Sequence, residues 1–283
     1  MPATARSPLR TMLNLSLLIA SLYGAVCLFA FLGQRRMVYF PGGPPQGDPA
    51  DVGLAFEEQF IETTDGVRLH GWWIPAQPMI GALILSHGNG GNIAGRLHIA
   101  RALHEMGLGV FLFDYRGYGS SEGTPDEEGT YLDAEAVWER VTGPLGIAPE
   151  RVLLQGESLG GAVAVELARR RRAAGLILEC SFTSLPEIGA TAYPWLPVRA
   201  LSRIRYESID KIGALDLPIL ILHSPQDEIV PFAHAERMLA AAGAEAQLHP
   251  TSGGHNDGGF TRRAEDLEAV QAFCRACLGS AEQ

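Results

Sequence analysis

The sequence predicts an α/β fold with a mostly parallel sheet of about eight strands and helices on both faces. Short apolar segments of strand length recur along the chain, helix-forming segments lie between them, and loops rich in glycine and proline separate the two. Strands that are apolar throughout are typical of a parallel sheet covered on both faces. With 283 residues, 47% of them hydrophobic, the chain is long enough to bury one large core.

The strand predictions begin with a hairpin. Residues 56–63 and 67–74 flank Asp65-Gly66, a dipeptide typical of a tight turn between antiparallel strands. We therefore expect antiparallel strands at one edge of the sheet. The six further strands are predicted at residues 82–85, 109–113, 151–154, 175–178, 218–222 and 245–248.

Helix-forming segments follow most of these strands. A short cap is expected within residues 179–217, a stretch that holds no predicted strand. Its apolar segment contains Tyr193 and Trp195, the candidate substrate-binding residues; the alternative is that both only pack over the sheet edge. The predicted helices cover residues 93–106, 130–141, 232–242 and 262–278, and one more begins directly after Ser158.

An uncharged N-terminal segment, Met12–Leu32, predicts a membrane-spanning helix. At 1.5 Å per residue its length is about 30 Å, the thickness of the hydrocarbon core of a bilayer. A cleaved signal peptide is the alternative, but this segment is longer than usual and lacks a typical small-residue cleavage site. Lipid attachment at Cys27 is less favoured, because Gly24 and Val26 occupy the flanking positions. We predict an anchor over residues 1–36, a linker over residues 37–55 and a catalytic domain over residues 56–283.

The distribution of charge limits the partners. The net charge is −10, all 32 acidic residues follow residue 47, and only four of the 22 basic residues precede it. Such an acidic body repels phosphate backbones, so no nucleic acid partner is expected. Arg6 and Arg10 before the apolar segment nearly balance Arg35 and Arg36 after it. The side of the membrane that the catalytic domain occupies is therefore left open.

A nucleophilic serine is predicted at Ser158. Gly156-Glu157-Ser158-Leu159-Gly160 lies between the strand at residues 151–154 and a helix-forming segment. Strand, G-x-S-x-G and helix together form the nucleophile elbow of α/β hydrolases. Gly119-Ser120-Ser121-Glu122-Gly123 fits the same pattern, but a loop precedes Ser121 and a proline-containing loop follows it. The context therefore favours Ser158.

Asp227 and His255 are the predicted partners of this serine. In such a fold the acid and then the histidine follow the serine along the chain. Asp227 follows the strand at residues 218–222, with Glu228 as the alternative acid. His255 lies on a glycine-rich loop after the last strand, with His249 as the alternative base. A serine hydroxyl needs such an oriented base before it can attack.

Two backbone N–H groups are predicted to form an oxyanion hole. One is that of Leu159, at the start of the helix after Ser158. The other is that of Asn89, in the glycine-rich loop over residues 86–92. A phosphate-binding loop is the alternative there, but the segment lacks the lysine of a P-loop and the G-x-G-x-x-G spacing.

The chain resembles the membrane-anchored serine hydrolases of the α/β-hydrolase fold, which include the abhydrolase-domain depalmitoylases and the serine aminopeptidase-like hydrolases. This resemblance implies an N-terminal anchor, a Ser158–Asp227–His255 triad and cleavage of ester or thioester bonds. The N-terminal cysteine cluster of the eukaryotic depalmitoylases has no counterpart here. The matching segments are residues 38–41, 87–92, 114–119, 156–161, 227–231 and 254–257.

The predicted function is that of a membrane-tethered serine hydrolase acting on small-molecule or lipid acyl esters or thioesters. A serine peptidase is the alternative enzyme, although the sequence offers no recognisable pair of amine-binding glutamates. A noncatalytic scaffold is the third hypothesis, which the presence of all three triad residues disfavours. No cofactor or metal is expected, because the four cysteines lack zinc-site spacing and are predicted to pack as small apolar side chains.

Overall fold

The computed structural model describes residues 8–279, so Arg6 and the ends of the predicted anchor and catalytic domain lie outside the described residues. Its centre is a sheet of eight strands: β1 Glu57–Glu62, β2 Arg68–Ile74, β3 Gly81–Ser86, β4 Leu108–Phe113, β5 Val152–Glu157, β6 Gly175–Glu179, β7 Ile219–His223 and β8 Ala246–Pro250. Their spatial order is β8-β7-β6-β5-β3-β4-β2-β1. The strand β2 runs antiparallel to both of its neighbours, β1 and β4, and every other pairing in this sheet is parallel.

Both faces of the sheet are covered, as the sequence predicts. Each face carries its own cluster of buried apolar side chains, one including Ile84 and Val163 and the other including Leu83 and Phe273. Adjacent strand residues such as Leu83 and Ile84 point to opposite faces, which explains why the strands are apolar throughout. The helices are α1 Pro8–Val38, α2 Leu97–Glu105, α3 Glu127–Thr142, α4 Leu159–Arg170, α5 Leu185–Ala192, α6 Val198–Leu201, α7 Ile209–Ile212, α8 Ala233–Ala241 and α9 Ala264–Leu278.

Several helix boundaries differ from their predicted positions. The helix α3 begins three residues earlier than predicted, because the Asp126 side chain accepts a hydrogen bond from the Gly129 N–H and so caps it. The predicted helix over residues 93–106 is split into a 3-10 turn, Ile93–Arg96, and α2. Another 3-10 turn, Gly259–Arg262, precedes α9.

Among the described residues, α1 is the one helix long and apolar enough to cross a membrane. It extends beyond the predicted span at both ends, and its apolar residues are exposed for most of its length. A signal sequence would have the same character, so the structure shows a long apolar N-terminal helix and no more.

The segment that follows α1 lies against the body. Phe40-Pro41 pairs in parallel with Gly90-Gly91, and the side chains of Tyr39 and Leu54 are buried. A 3-10 turn over Pro49–Val52 is capped by Asp48. The division into anchor, linker and catalytic domain stays a prediction, but the residues assigned to the linker are ordered by contacts with the sheet-bearing part of the chain.

Candidate active site

Ser158 lies at the sharp turn between β5 and α4. Its φ angle is +52°, in the left-handed region that residues other than glycine rarely adopt. The turn is held by hydrogen bonds, because the Ser158 N–H donates to the Glu179 carbonyl (2.8 Å) and the Gly161 N–H donates to the Ser158 carbonyl (3.0 Å). This conformation presents the Ser158 hydroxyl at the carboxyl edge of the parallel strands, where ligands of such sheets bind.

The glycines around Ser158 allow backbone segments to approach closely. A Cβ atom on Gly156 would overlap the Gly160 carbonyl, and one on Gly160 would overlap the Ser86 carbonyl. The start of α4 therefore packs directly against the end of β3 and the loop that follows it. Glycine is required at both positions because any side chain would separate these segments.

Three side chains from separate loops form one hydrogen-bonded series. The Nε2 atom of His255 lies 3.1 Å from the Ser158 hydroxyl, and its Nδ1 atom lies 2.8 Å from a carboxylate oxygen of Asp227. All three side chains are largely buried. Such a series can transfer a proton from the hydroxyl to the imidazole while the carboxylate orients the ring.

The environment of Asp227 favours its ionised form. Burial raises its pKa, but hydrogen bonds from His255 and from the Val230 and Ile229 N–H groups outweigh burial, so the pKa lies below its usual value. A second histidine, His223, approaches the same carboxylate at 3.5 Å and also bonds the Val230 carbonyl. Asp227 is therefore held in place as an anion next to the imidazole.

The alternative residues lie elsewhere or make other contacts. Glu228 accepts a hydrogen bond from the backbone N–H of His255 (3.1 Å). His249 is bonded to Asp266 (2.7 Å). The hydroxyl of Ser121 accepts from the His70 N–H and donates to the Asp114 carbonyl, so it stabilises a turn.

The two predicted oxyanion donors lie on the two segments that Gly160 brings together. Leu159 is the first residue of α4, where backbone N–H groups have no partner within the helix. Asn89 lies in the loop after β3, and its carbonyl accepts hydrogen bonds from the Phe40 N–H (3.0 Å) and the Tyr118 hydroxyl (2.9 Å). The Asn89 side chain donates to the Val38 carbonyl (2.9 Å). Their role as donors stays a prediction.

A polar pocket of about 210 Å³ borders His255. Arg96 and Glu157 line it and form a two-pronged ion pair with N–O distances of 2.9 and 3.0 Å. Glu179 also lines it; burial, together with the charge of Glu157, raises the Glu179 pKa to about 7. This pocket was not predicted from the sequence, although Glu157 and Glu179 both end central strands, the positions where site residues of this fold are expected.

The packing prediction for the cysteines holds for Cys274, which is buried among apolar side chains, but not for Cys180, which lines the polar pocket. Cys180 also belongs to the one group of metal-ligand atoms found among the described residues, with Asp227 and His255. Burial and three nearby carboxylates raise the pKa of Cys180 well above its usual value, so the thiol stays protonated. A protonated thiol beside a bonded histidine and carboxylate is a poor metal site.

The two candidate substrate-binding residues differ in their surroundings. Tyr193 lines an apolar cavity of about 230 Å³ between α1 and the cap helices α5 and α6. Trp195 is 58% exposed and does not line that cavity; its carbonyl accepts a hydrogen bond from Tyr23 of α1 (2.9 Å). Asn89 also borders the cavity, so the cavity extends to the loop beside Ser158.

Comparisons with known sequences identify relatives over nearly the whole chain. Residues 77–209 match the family model described as serine aminopeptidase, S33. The chain is 40% identical over 262 residues to the uncharacterized protein Rv2307c of Mycobacterium tuberculosis, a match that covers 90% of this chain and 92% of that protein. It is 33% identical over 244 residues to the alpha/beta hydrolase domain-containing protein WAV2 of Arabidopsis thaliana, with 78% and 79% of the two chains covered.

Solved structures share the fold. The esterase Pf2001 of Pyrococcus furiosus superposes with a TM-score of 0.72 at 20% identity, covering 86% of this chain and 98% of that one. An alpha-beta hydrolase from Vibrio vulnificus superposes with a TM-score of 0.67 at 20% identity, covering 79% and 82%. From its sequence relatives and its architecture, the chain belongs to the α/β-hydrolase family that includes the serine aminopeptidase-like S33 hydrolases.

Proposed function

We propose that the protein is a membrane-tethered serine hydrolase that cleaves carboxylic esters, thioesters or lipid acyl bonds. The observation that supports this most directly is the hydrogen-bonded series from Ser158 through His255 to Asp227, with distances of 3.1 and 2.8 Å. A buried, ionised aspartate behind the histidine is what a serine nucleophile needs for activation.

The reaction follows from these contacts in two halves. Nε2 of His255 takes the hydroxyl proton of Ser158 as the oxygen attacks the acyl carbonyl, and a tetrahedral intermediate forms. The protonated imidazole then donates that proton to the departing alkoxide or thiolate, the bond to the leaving group breaks, and an acyl-Ser158 ester remains. Water attacks this ester with His255 again as base, which releases the acid and restores the serine.

Two parts of the site stabilise the charges that develop. The carboxylate of Asp227 stabilises the imidazolium of His255 and keeps its Nδ1 atom protonated. The oxyanion of the intermediate is bound by the N–H groups of Leu159 and Asn89. Loss of one such donor typically slows a hydrolase by about 10²–10³.

The proposed tether is the helix α1. Its apolar side chains are exposed along most of the segment from Met12 to Leu32, and hydrogen bonds from Tyr23 and Gln34 join its C-terminal half to the cap. An enzyme in this position encounters substrates that partition into the membrane.

A fluorophosphonate probe, which reacts with activated serines, tests the proposal on the full chain in detergent. We expect labelling of the wild-type protein and none of Ser158→Ala. The matched control is Ser121→Ala, which removes the serine of the second G-x-S-x-G sequence and should leave labelling intact. Equal labelling of wild type and Ser158→Ala would refute the proposal.

A peptidase is the second candidate, because two glutamates, Glu157 and Glu179, line the polar pocket beside His255. A substrate ammonium group would need a free carboxylate there. Glu157 is already neutralised by Arg96, and Glu179 is bonded to Gln155 and the Phe260 N–H. Ester cleavage therefore ranks first. Turnover of aminoacyl anilides without turnover of p-nitrophenyl acyl esters would reverse this ranking.

A further inference from the structure

The N-terminal helix packs along the cap of the hydrolase over several turns. The Tyr23 hydroxyl donates to the Trp195 carbonyl (2.9 Å), and eleven residues further on the Gln34 side chain donates to the Leu201 carbonyl (2.8 Å). These contacts are about 16 Å apart along the helix axis. Gln34 also accepts a hydrogen bond from the Arg203 N–H (2.7 Å). The helix is therefore a neighbour of the cap over part of its apolar length.

The apolar cavity of about 230 Å³ lies at the contact between α1 and the cap. Ala30, Gln34 and Met37 of α1 line one side, and cap residues including Ile188 and Leu196 line the other. Small residues leave the space open: Ala30 carries only a methyl group, and Gly189 lets α5 approach Val198 of α6. Pockets for drug-sized ligands are usually about 300–1,000 Å³, so this cavity suits a narrow, flexible and apolar ligand.

The position of the cavity indicates where that ligand comes from. Tyr193 and Trp195, 43% and 58% exposed, lie in the cap beside α1, and such aromatic residues are typical of the membrane interface. On α1 itself, Phe29 and Leu32 are 76% and 66% exposed. The cavity thus lies between an apolar helix surface and an aromatic cap rim, and Asn89 at its border belongs to the loop beside Ser158.

We propose that α1 forms one wall of an acyl-chain pocket, and that this pocket accepts a single hydrocarbon chain entering from the membrane. The inference rests on the proposed function for its link to hydrolysis and deepens it: the substrates are esters of a membrane-borne acyl chain. The N-terminal helix is then part of the binding site as well as a tether.

Photocrosslinking tests this independently of catalysis. The full-length Ser158→Ala protein in detergent is irradiated with decanoic acid carrying a diazirine, and labelled peptides are mapped by mass spectrometry. We expect labelling on both walls of the cavity, within residues 30–38 and 185–204. The variant Ala30→Trp should reduce labelling of the cap peptide at least fivefold, because the indole fills the cavity. Ala25→Trp, an exposed position on the same helix outside the cavity, should not.

A second readout uses the active protein and the ratio of kcat/KM for p-nitrophenyl decanoate to that for p-nitrophenyl acetate. Ala30→Trp should lower this ratio at least tenfold and Ala25→Trp should leave it unchanged. Ile188→Ala enlarges the cavity and should shift the preference towards longer chains, a gain that misfolding cannot produce.

The outcomes separate the two proposals. The acyl-chain pocket is overturned if the cap peptide is not labelled, or if Ala30→Trp does not reduce its labelling. This conclusion holds whatever the enzyme cleaves. If Ala30→Trp blocks labelling of the cap peptide but the wild-type protein cleaves no ester, the pocket is supported and the proposed hydrolase function is contradicted.

Discussion

The side-chain amide of Asn89 donates a hydrogen bond to the carbonyl oxygen of Val38, the last residue of the N-terminal helix. The loop beside Ser158 is thereby joined to the end of the apolar helix. Two further bonds reinforce the connection: the Phe40 N–H donates to the Asn89 carbonyl, and the Asn92 side chain donates to the Gly43 carbonyl. The position of the proposed oxyanion donor therefore depends on the chain that leaves the helix.

Substitution of Asn89 tests this dependence. Asn89→Ala keeps the backbone N–H but loses the bond to Val38. We expect kcat for an acyl ester to fall about tenfold with little change in KM, because the position of the oxyanion donor matters most in the transition state. Asn89→Asp is similar in shape but cannot donate to Val38, and it should lose at least as much. Unchanged kcat in both variants would show that the hydrogen bond between Asn89 and Val38 is not needed for the reaction.

The acid of the proposed triad is tested by comparing adjacent carboxylates. Asp227→Asn should lower kcat about 10⁴-fold, because the amide can favour the wrong tautomer of His255. Glu228→Gln should lower it less than tenfold, since Glu228 contacts the backbone N–H of His255 and not its ring. Steady-state kinetics on one ester are sufficient, and a larger loss in the Glu228 variant would exchange the two assignments.

The close packing at Gly160 predicts a strong effect on folding. In Gly160→Ala the new methyl group would overlap the Ser86 carbonyl, and backbone cannot move aside as a flexible side chain does. We expect a loss of about 2 kcal/mol or more in the free energy of unfolding, together with loss of fluorophosphonate labelling. The control is Gly243→Ala, at an exposed glycine with open space around its Cα, which should have no measurable effect on thermal unfolding.

Glu179 predicts a pH dependence of stability. Burial raises its pKa from 4.5 to about 7, so between these values the folded protein holds a proton that the unfolded chain has released. The contribution of this group to stability is complete below pH 4.5 and decreases as the pH rises to about 7. Glu179→Gln removes the ionisation but keeps an oxygen for the Phe260 N–H.

As the pH rises from 5 to 8, we therefore expect the free energy of unfolding of Glu179→Gln to increase relative to that of wild type by on the order of 1–3 kcal/mol. Thermal unfolding at the two pH values measures the difference, with Glu62→Gln on the exposed edge strand as control. If the difference in stability between Glu179→Gln and wild type is the same at both pH values, the assignment of a buried, protonated Glu179 is contradicted.

Much of the architecture could be predicted from local patterns. The eight strands, the early hairpin and the elbow at Ser158 depend on apolar runs, a turn dipeptide and a short motif, each of which acts over a few residues. Likewise, Asp227 and His255 follow the ends of their strands, and a parallel sheet brings such ends to one edge. The proximity of these three residues was therefore predictable before the distances were known.

The polar pocket and the apolar cavity could not be predicted in the same way. The approach of Glu179 to Arg96 and Glu157 depends on which strands become neighbours, and nothing local to those residues specifies that order. The same holds for the contacts of Tyr23 and Gln34 with the cap, which join residues more than 160 positions apart.

The sequence by itself thus determined the α/β architecture, the placement of Ser158, Asp227 and His255 at one edge of the sheet, and an apolar helix of membrane-spanning length, because each follows from patterns that act over short stretches of the chain. Only the tertiary structure decided that this helix packs on the cap, borders a cavity and is bonded to the loop of Asn89. Packing between distant surfaces depends on shape and on hydrogen-bond partners that meet only once the chain has folded.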